Sequence, residues 1–136
     1  EDVGNADPNA LTVAVSAAQA VERLGMPEAR IVLAQAVTYV ASAPKSNAAY
    51  LAVDKALSAV RESRTAPVPP YLCDALYKGA GKLGRGIGYK YAHDYPNHYV
   101  EQQYLPDAYK DMKFYEPTEN GYEQTIREYF KKIKQE

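Results

Sequence analysis

Pro27-Glu28-Ala29-Arg30-Ile31-Val32-Leu33-Ala34-Gln35-Ala36-Val37-Thr38-Tyr39-Val40-Ala41-Ser42-Ala43-Pro44 is the stretch that decides the fold class. Proline at its start suits the first turn of a helix, where the missing N–H costs nothing, and proline at its end stops one. Between them Ile31, Val32, Leu33, Ala36, Val37 and Val40 leave a helix over about 27–43 apolar nearly all round. A helix without a polar face is central in its bundle.

Its neighbours read the same way. Upstream, Asp7 can N-cap a helix with Pro8 at its first position. Thr12, Ser16, Gln19 and Arg23 mark the solvent face of that helix, and Leu11, Val15, Ala18 and Val21 mark its apolar one. Gly25 is placed to end it. Downstream, Ser46 or Asn47 can cap a third helix. There Tyr50, Val53, Leu57 and Val60 form the expected buried stripe, while Asp54, Ser58 and Arg61 face out. Connections of a few residues favour antiparallel neighbours, and the many alanines permit close approach. The expected fold is all-α, with an antiparallel helical bundle over 1–64.

Residues 65–136 differ in character, although the two regions are expected to form one compact unit. Eleven of the 13 tyrosines lie beyond residue 70. Thr65-Ala66-Pro67-Val68-Pro69-Pro70 is a stiff connector, and a short helix over 71–77 is expected after it. Five glycines in residues 79–88 then discourage any long helix. Tyr89 and Tyr91 alternate as in a short strand, but 89–109 reads mostly as ordered loop, because so many rings need somewhere to pack. A closing helix is clear from Tyr122, Ile126, Tyr129, Phe130 and Ile133, which share one face. Thr118 can cap it, or Asn120 with Glu123 as a capping-box partner. Glu123–Arg127 and Glu128–Lys132 are i,i+4 pairs, and Ile126 and Phe130 are expected to be buried.

Few residues suggest chemistry. Gly79-Ala80-Gly81-Lys82-Leu83-Gly84 matches G-x-G-x-x-G, but that motif needs a strand before it and a helix after it. Leu76 and Leu83 stand where a phosphate-binding P-loop needs glycine and a hydroxyl. The spacing of His93, Asp94 and His98 fits no standard zinc pattern, and Cys73 has no partner cysteine. No catalytic residue, cofactor or metal ligand is assigned. Two surfaces remain. Lys78, Lys82, Arg85 and Lys90 run without an intervening acid beside Tyr77, Tyr89 and Tyr91, a pattern suited to single-stranded nucleic acid. Tyr89, Tyr91, His93, Asp94, Tyr95, His98, Tyr99 and Tyr104 form a segment suited to a subunit or domain interface, since tyrosine gives large contact area and keeps a polar hydroxyl. The same rings could instead pack back as a lid over the helices.

The net charge of −1 gives the whole chain no strong attraction for polyanions. No apolar run approaches the roughly 20 residues of a membrane span, and no signal peptide opens the chain. With Cys73 the single cysteine, a cytoplasmic home is the default. The start Glu1-Asp2-Val3-Gly4, without initiator methionine, is what an excised part of a larger protein would show.

Several strings add a resemblance. Glu1-Asp2-Val3-Gly4-Asn5-Ala6-Asp7-Pro8, Glu22-Arg23-Leu24-Gly25-Met26-Pro27-Glu28-Ala29-Arg30 and Ala43-Pro44-Lys45-Ser46-Asn47-Ala48 are among them. So are Tyr89-Lys90-Tyr91-Ala92-His93-Asp94, Gln103-Tyr104-Leu105-Pro106 and Phe114-Tyr115-Glu116-Pro117-Thr118-Glu119-Asn120-Gly121. Together they resemble the C-terminal region of the replication-associated recombination protein A family, also called RarA or MgsA, with the Werner-helicase-interacting protein as eukaryotic relative. Two positions depart from that pattern: Ala92 where proline is expected, and Cys73 where a basic residue is. The resemblance implies a bundle related to the clamp-loader collar, with 1–64 serving oligomerisation of a homotetramer. It also implies a parent DNA-dependent AAA+ ATPase whose own AAA+ core holds ATP and magnesium. That parent would act with DNA and fork proteins at stalled replication forks, nucleoid-associated in the cytoplasm.

Overall fold

The computed structural model describes residues 1–62, 66–73 and 78–134. Among them the regular structure is helical, with no strand. Four α-helices are present: α1 (Asn9–Leu24), α2 (Ala29–Ser42), α3 (Ala48–Glu62) and α4 (Tyr122–Lys134). Short 3-10 turns occupy much of the remainder. The chain groups into two compact units, Glu1–Asp54 with Phe114–Glu136, and Lys55–Lys113. The closing segment therefore belongs with the first helices, a grouping different from the compositional change near residue 65.

In the first unit α1 and α2 form a hairpin. Gly25 takes φ +67° with extended ψ, a conformation open to glycine because it has no Cβ, and its N–H closes on Val21 O at 3.0 Å. The α1 seam runs through Ala10, Val13, Ala17, Ala20 and Val21, and the α2 seam through Ala29, Val32, Ala36, Tyr39 and Val40. Asp7 secures the entry: Oδ1 accepts the Asn9 N–H at 3.0 Å and Oδ2 accepts the Tyr39 hydroxyl at 2.8 Å. This rotates α1 from the expected orientation. Thr12, Ser16, Gln19 and Arg23 face solvent as expected, but Leu11 and Val15 are exposed as well. Alanine explains the shift, because a seam of small side chains brings two helices closest and leaves the larger residues on the flanks.

The same unit is closed by its ends. Val3 and Ala6 of the first turn are buried. Ser46 N–H donates to Asp2 O at 2.9 Å, and the Asn120 amide donates to Lys45 O at 2.9 Å. Gly121 sits where an added Cβ would come within 2.1 Å of Ala6 O, so only glycine lets these backbones meet.

The second unit buries Ala59, Ala80, Val100 and Tyr109. The Tyr109 hydroxyl donates to Ala59 O at 3.2 Å. Residues 78–88 are a chain of turns, with Gly79 and Gly84 in the left-handed region on either side of a 3-10 turn at Ala80–Leu83. The expected short helix over 71–77 is represented by a single 3-10 turn at Pro70–Leu72; residues 74–77 lie outside the described residues.

Candidate functional site

A polar cluster built from sequence-distant parts organises the first unit. Glu123, in the first turn of α4, is fully buried. Its Oε2 accepts the Ser46 hydroxyl, the Thr118 N–H and the Thr118 hydroxyl, each at 2.7 Å, and its Oε1 accepts the Tyr115 hydroxyl at 2.9 Å. Ser46 Oγ in turn accepts the Ala48 N–H at 3.2 Å, capping α3, and Tyr115 accepts the Asn5 amide at 3.2 Å. Burial pushes the Glu123 carboxyl up, but the hydrogen bonds from Ser46, Thr118 and Tyr115 outweigh it and hold the pKa below the ordinary value. Burial raises the Tyr115 phenol; the Asn5 amide opposes this and the Glu123 charge adds to it. With the buried carboxylate fully hydrogen-bonded by Ser46, Thr118 and Tyr115, the cluster acts as a structural clasp.

This corrects two expectations for α4. Glu123 reaches back to Thr118 rather than out to Arg127, and Arg127 pairs with Glu119 at 3.1 Å. Glu128 accepts the Gln124 amide at 3.1 Å. Of the expected buried pair, Ile126 is half-buried and Phe130 is exposed, its ring 6.4 Å from that of Tyr129; Tyr122 and Tyr129 are exposed as well. Residue 123 takes the inward position that apolar periodicity assigned to the ring-bearing face.

Around the clasp the surface is strongly apolar. Buried hydrophobic residues of the first unit are Val3 and alanines, whereas Leu11, Ile31 and Val37 are 74%, 63% and 64% exposed. Expected burial of the α3 stripe is likewise not found: Tyr50, Val53, Leu57 and Val60 are all exposed. A hydrogen bond from Tyr50 to Asp54, together with that carboxylate's charge, raises the phenol pKa. Ala14, Ala18, Leu33, Ala36, Val37 and Val40 line an open groove of about 490 Å³ beside the α1–α2 seam. An apolar α2 is thus central in composition only; Ile31, Leu33 and Val37 are exposed in the chain by itself.

In the second unit the aromatic segment is ordered by specific bonds. The Gln102 side chain accepts the Lys90 N–H at 2.8 Å and donates to Lys90 O at 3.4 Å, giving residue 90 the pairing that a neighbouring strand would. That accounts for strand-like alternation without a strand. Tyr71 donates its hydroxyl to Gln103 O, and the Gln103 amide binds Leu105 O and Asp107 Oδ1 at 2.9 and 2.8 Å. Asn97 and His98 adopt φ +57° and +52°, a left-handed pair that sharpens the bend after Pro96. Tyr91, His93 and His98 follow in series with ring centroids 5.0 Å apart and successive rings tilted by 49° and 53°. Of the expected interface residues, Tyr89, Tyr91, His93, Asp94, Tyr95, His98 and Tyr104 are exposed, and Tyr99 is half-buried next to buried Val100. Lys78, Lys82, Arg85 and Lys90 are exposed too, while Tyr77 lies outside the described residues.

Known proteins align with the chain along nearly all of its length. The model of the family described as MgsA AAA+ ATPase C terminal matches residues 1–134. The chain belongs to this family. Replication-associated recombination protein A of Bacillus subtilis (strain 168) is 48% identical to this MgsA C-terminal chain over 134 residues, covering 98% of the chain and 32% of that protein. The protein of the same name from Escherichia coli (strain K12) is 43% identical over 129 residues, 94% of the chain and 29% of that protein. ATPase WRNIP1 of Dictyostelium discoideum is 37% identical over 117 residues, 85% of the chain and 13% of that protein. The chain thus spans a third or less of the length of the curated relatives it matches. Among the described residues of this MgsA C-terminal chain, no group of His, Cys, Asp or Glu is arranged to hold a metal ion, and no helix is long and apolar enough to cross a membrane.

Proposed function

We propose that this chain is the assembly module of a DNA-dependent AAA+ ATPase, joining copies of the parent protein into a tetramer. One observation carries the reading: a hairpin whose core is alanine exposes Leu11, Val15, Ile31, Leu33 and Val37. Leu33 and Val37 lie a turn apart beside Ala14 and Ala18 in one open groove, and interfaces between identical subunits are built from apolar faces of this kind. The exposed rings of Tyr95 and Tyr104 give the second unit a surface of its own suited to subunit contact. The names of the relatives support a parent that works in replication-associated recombination; on this reading its ATP and magnesium are held outside this chain. On this reading the parent acts at stalled forks, on DNA and with fork proteins, nucleoid-associated in the cytoplasm.

Val37→Asp tests the assembly surface. The side chain is exposed in the single chain, so the variant folds with unchanged helix content, but a buried carboxylate in the interface shifts sedimentation toward the monomer. Unchanged sedimentation would place the contact elsewhere. Replacing Tyr95 and Tyr99 by Ser tests the second surface. Dissociation before unfolding is the expected result, and unfolding without dissociation would make the segment core.

A further inference from the structure

We infer that Asn120–Gly121 is a site of spontaneous covalent modification, at which residue 120 passes from asparagine to aspartate or isoaspartate and α4 is loosened from the clasp. Neither assembly nor a partner is needed for it. The asparagines of the chain are Asn5, Asn9, Asn47, Asn97 and Asn120. An asparagine side chain can close on the backbone nitrogen of the next residue when that nitrogen is free to lose its proton and reach the side-chain carbon. A nitrogen whose N–H already donates to an acceptor is withheld from this reaction.

The fold withholds every such nitrogen but one. Ala6 N–H donates to Val3 O and Ala10 N–H to Asp7 O, both at 3.1 Å. Ala48 N–H donates to Ser46 Oγ at 3.2 Å, and His98 N–H donates to Tyr95 O at 3.0 Å. Among the described residues, the Gly121 N–H donates to no acceptor. Glycine also has no side chain to crowd the approach, and Asn120 is exposed. The step balances with water alone. Gly121 N bonds to Asn120 Cγ, the Cγ–Nδ2 bond breaks, and ammonia leaves with the proton that the nitrogen gives up. Water then opens the succinimide ring. Attack at Cγ restores the original main chain with an aspartate side chain. Attack at the main-chain carbonyl carbon leaves the chain running through Cγ, as isoaspartate.

Residue 120 is tied directly to the clasp. Its N–H donates at 3.1 Å to Thr118 Oγ1, the hydroxyl that itself donates to Glu123 Oε2. Its carbonyl accepts the Glu123 N–H at 3.2 Å, and its side-chain amide donates to Lys45 O at 2.9 Å. Aspartate loses that donor and sets a carboxylate against the Lys45 carbonyl. Isoaspartate adds a carbon to the main chain, about 1.5 Å of length. The extra length falls beside Gly121, where Ala6 O and Pro44 Cγ already fill the space a Cβ would need. Both products weaken the hold on α4, and loss of ammonia makes the change one-way.

The 136-residue chain is incubated at mildly alkaline pH, which favours loss of the nitrogen's proton, and each asparagine is followed by peptide mass mapping. Conversion at residue 120 should lead that at Asn5, Asn9, Asn47 and Asn97 by at least about tenfold, the factor represented by one hydrogen bond that must first break. In denaturant every nitrogen is released, so the lead should shrink to what the glycine alone confers. A protein-isoaspartate methyltransferase with S-adenosylmethionine should label residue 120 of the incubated chain. That chain should melt below the fresh one. Asn120→Gln, whose longer side chain closes a ring far more slowly, should keep its mass and its melting temperature through the same incubation. Asn120→Asp gives a second reading, since it should melt below the parent without incubation. Conversion elsewhere as fast as at residue 120, or a lead no larger in the folded chain than in denaturant, would overturn the assignment. So would a converted chain that melts as the fresh one does, or a Gln variant that loses as much stability on incubation.

Discussion

Glu123 shows how one side chain can tie together a unit whose buried apolar residues are Val3 and alanines. It joins the start of α4 to Ser46 at the head of α3 and to Tyr115 and Thr118 before the helix, and its partners also hold Asn5. Glu123→Ala would strand several buried donors, each costing about 1–3 kcal/mol, and should destabilise the unit by at least about 3 kcal/mol in chemical denaturation. Glu123→Gln keeps the shape and can give an N–H to Tyr115, so its loss should be smaller, about 1–2 kcal/mol. The pH dependence has a definite sign. A carboxyl held below its ordinary pKa stabilises the fold above that ordinary value, and the contribution disappears as pH falls through the folded value. Acid titration should therefore weaken the parent chain below about pH 4.3, the ordinary glutamate value, and the Gln variant should lack this component. A variant with the same acid profile as the parent would show that Glu123 is not the group titrating.

Helix packing separates what periodicity specifies from what it leaves open. Gly121→Ala should cost at least about 2 kcal/mol, since the residue has φ +54° and its hydrogen faces Ala6 O. Thermal melting that matches the parent would contradict the close contact. Phe130→Ala should cost under about 1 kcal/mol in the single chain, because the ring is already exposed, and Ile126→Ala should cost more. The four helices were legible from the sequence because their boundaries rest on local chemistry: Gly25, Pro27, Pro44 and the Ser46 cap. Which face turns inward was not. Apolar periodicity favours Leu11 and Val15 on α1, but Ala10, Ala17 and Ala20 take the seam with Val13 and Val21, and Leu11 and Val15 are left outside. The burial of Glu123 is hidden for a related reason, although its reach back across the helix start is legible as that of a capping-box partner. An acid four residues before Arg127 has the local signature of a surface pair, whereas its burial depends on Ser46, which is 77 residues away. The aromatic loop was legible as ordered, but Gln102 serving as a substitute strand depends on one side chain meeting one backbone residue, and composition does not encode that.

At the scale of the whole molecule, the chain matches the MgsA C-terminal family over residues 1–134, yet leaves large aliphatic residues of three helices in contact with water. Burying about 800 Å² per partner, the usual size of a stable interface, would cover a substantial part of them. The Lys55–Lys113 unit holds nine basic and six acidic residues and the other unit seven and eleven; on the proposed reading the acidic, apolar-flanked unit joins copies. The measurement that tests this account most directly is molar mass by light scattering across a concentration series, with no nucleic acid present. The account predicts that mass rises with concentration toward about four times the 15.1 kDa of one chain, and falls back in the Val37→Asp variant. A constant mass of one chain, up to concentrations where weak interfaces form, would contradict it.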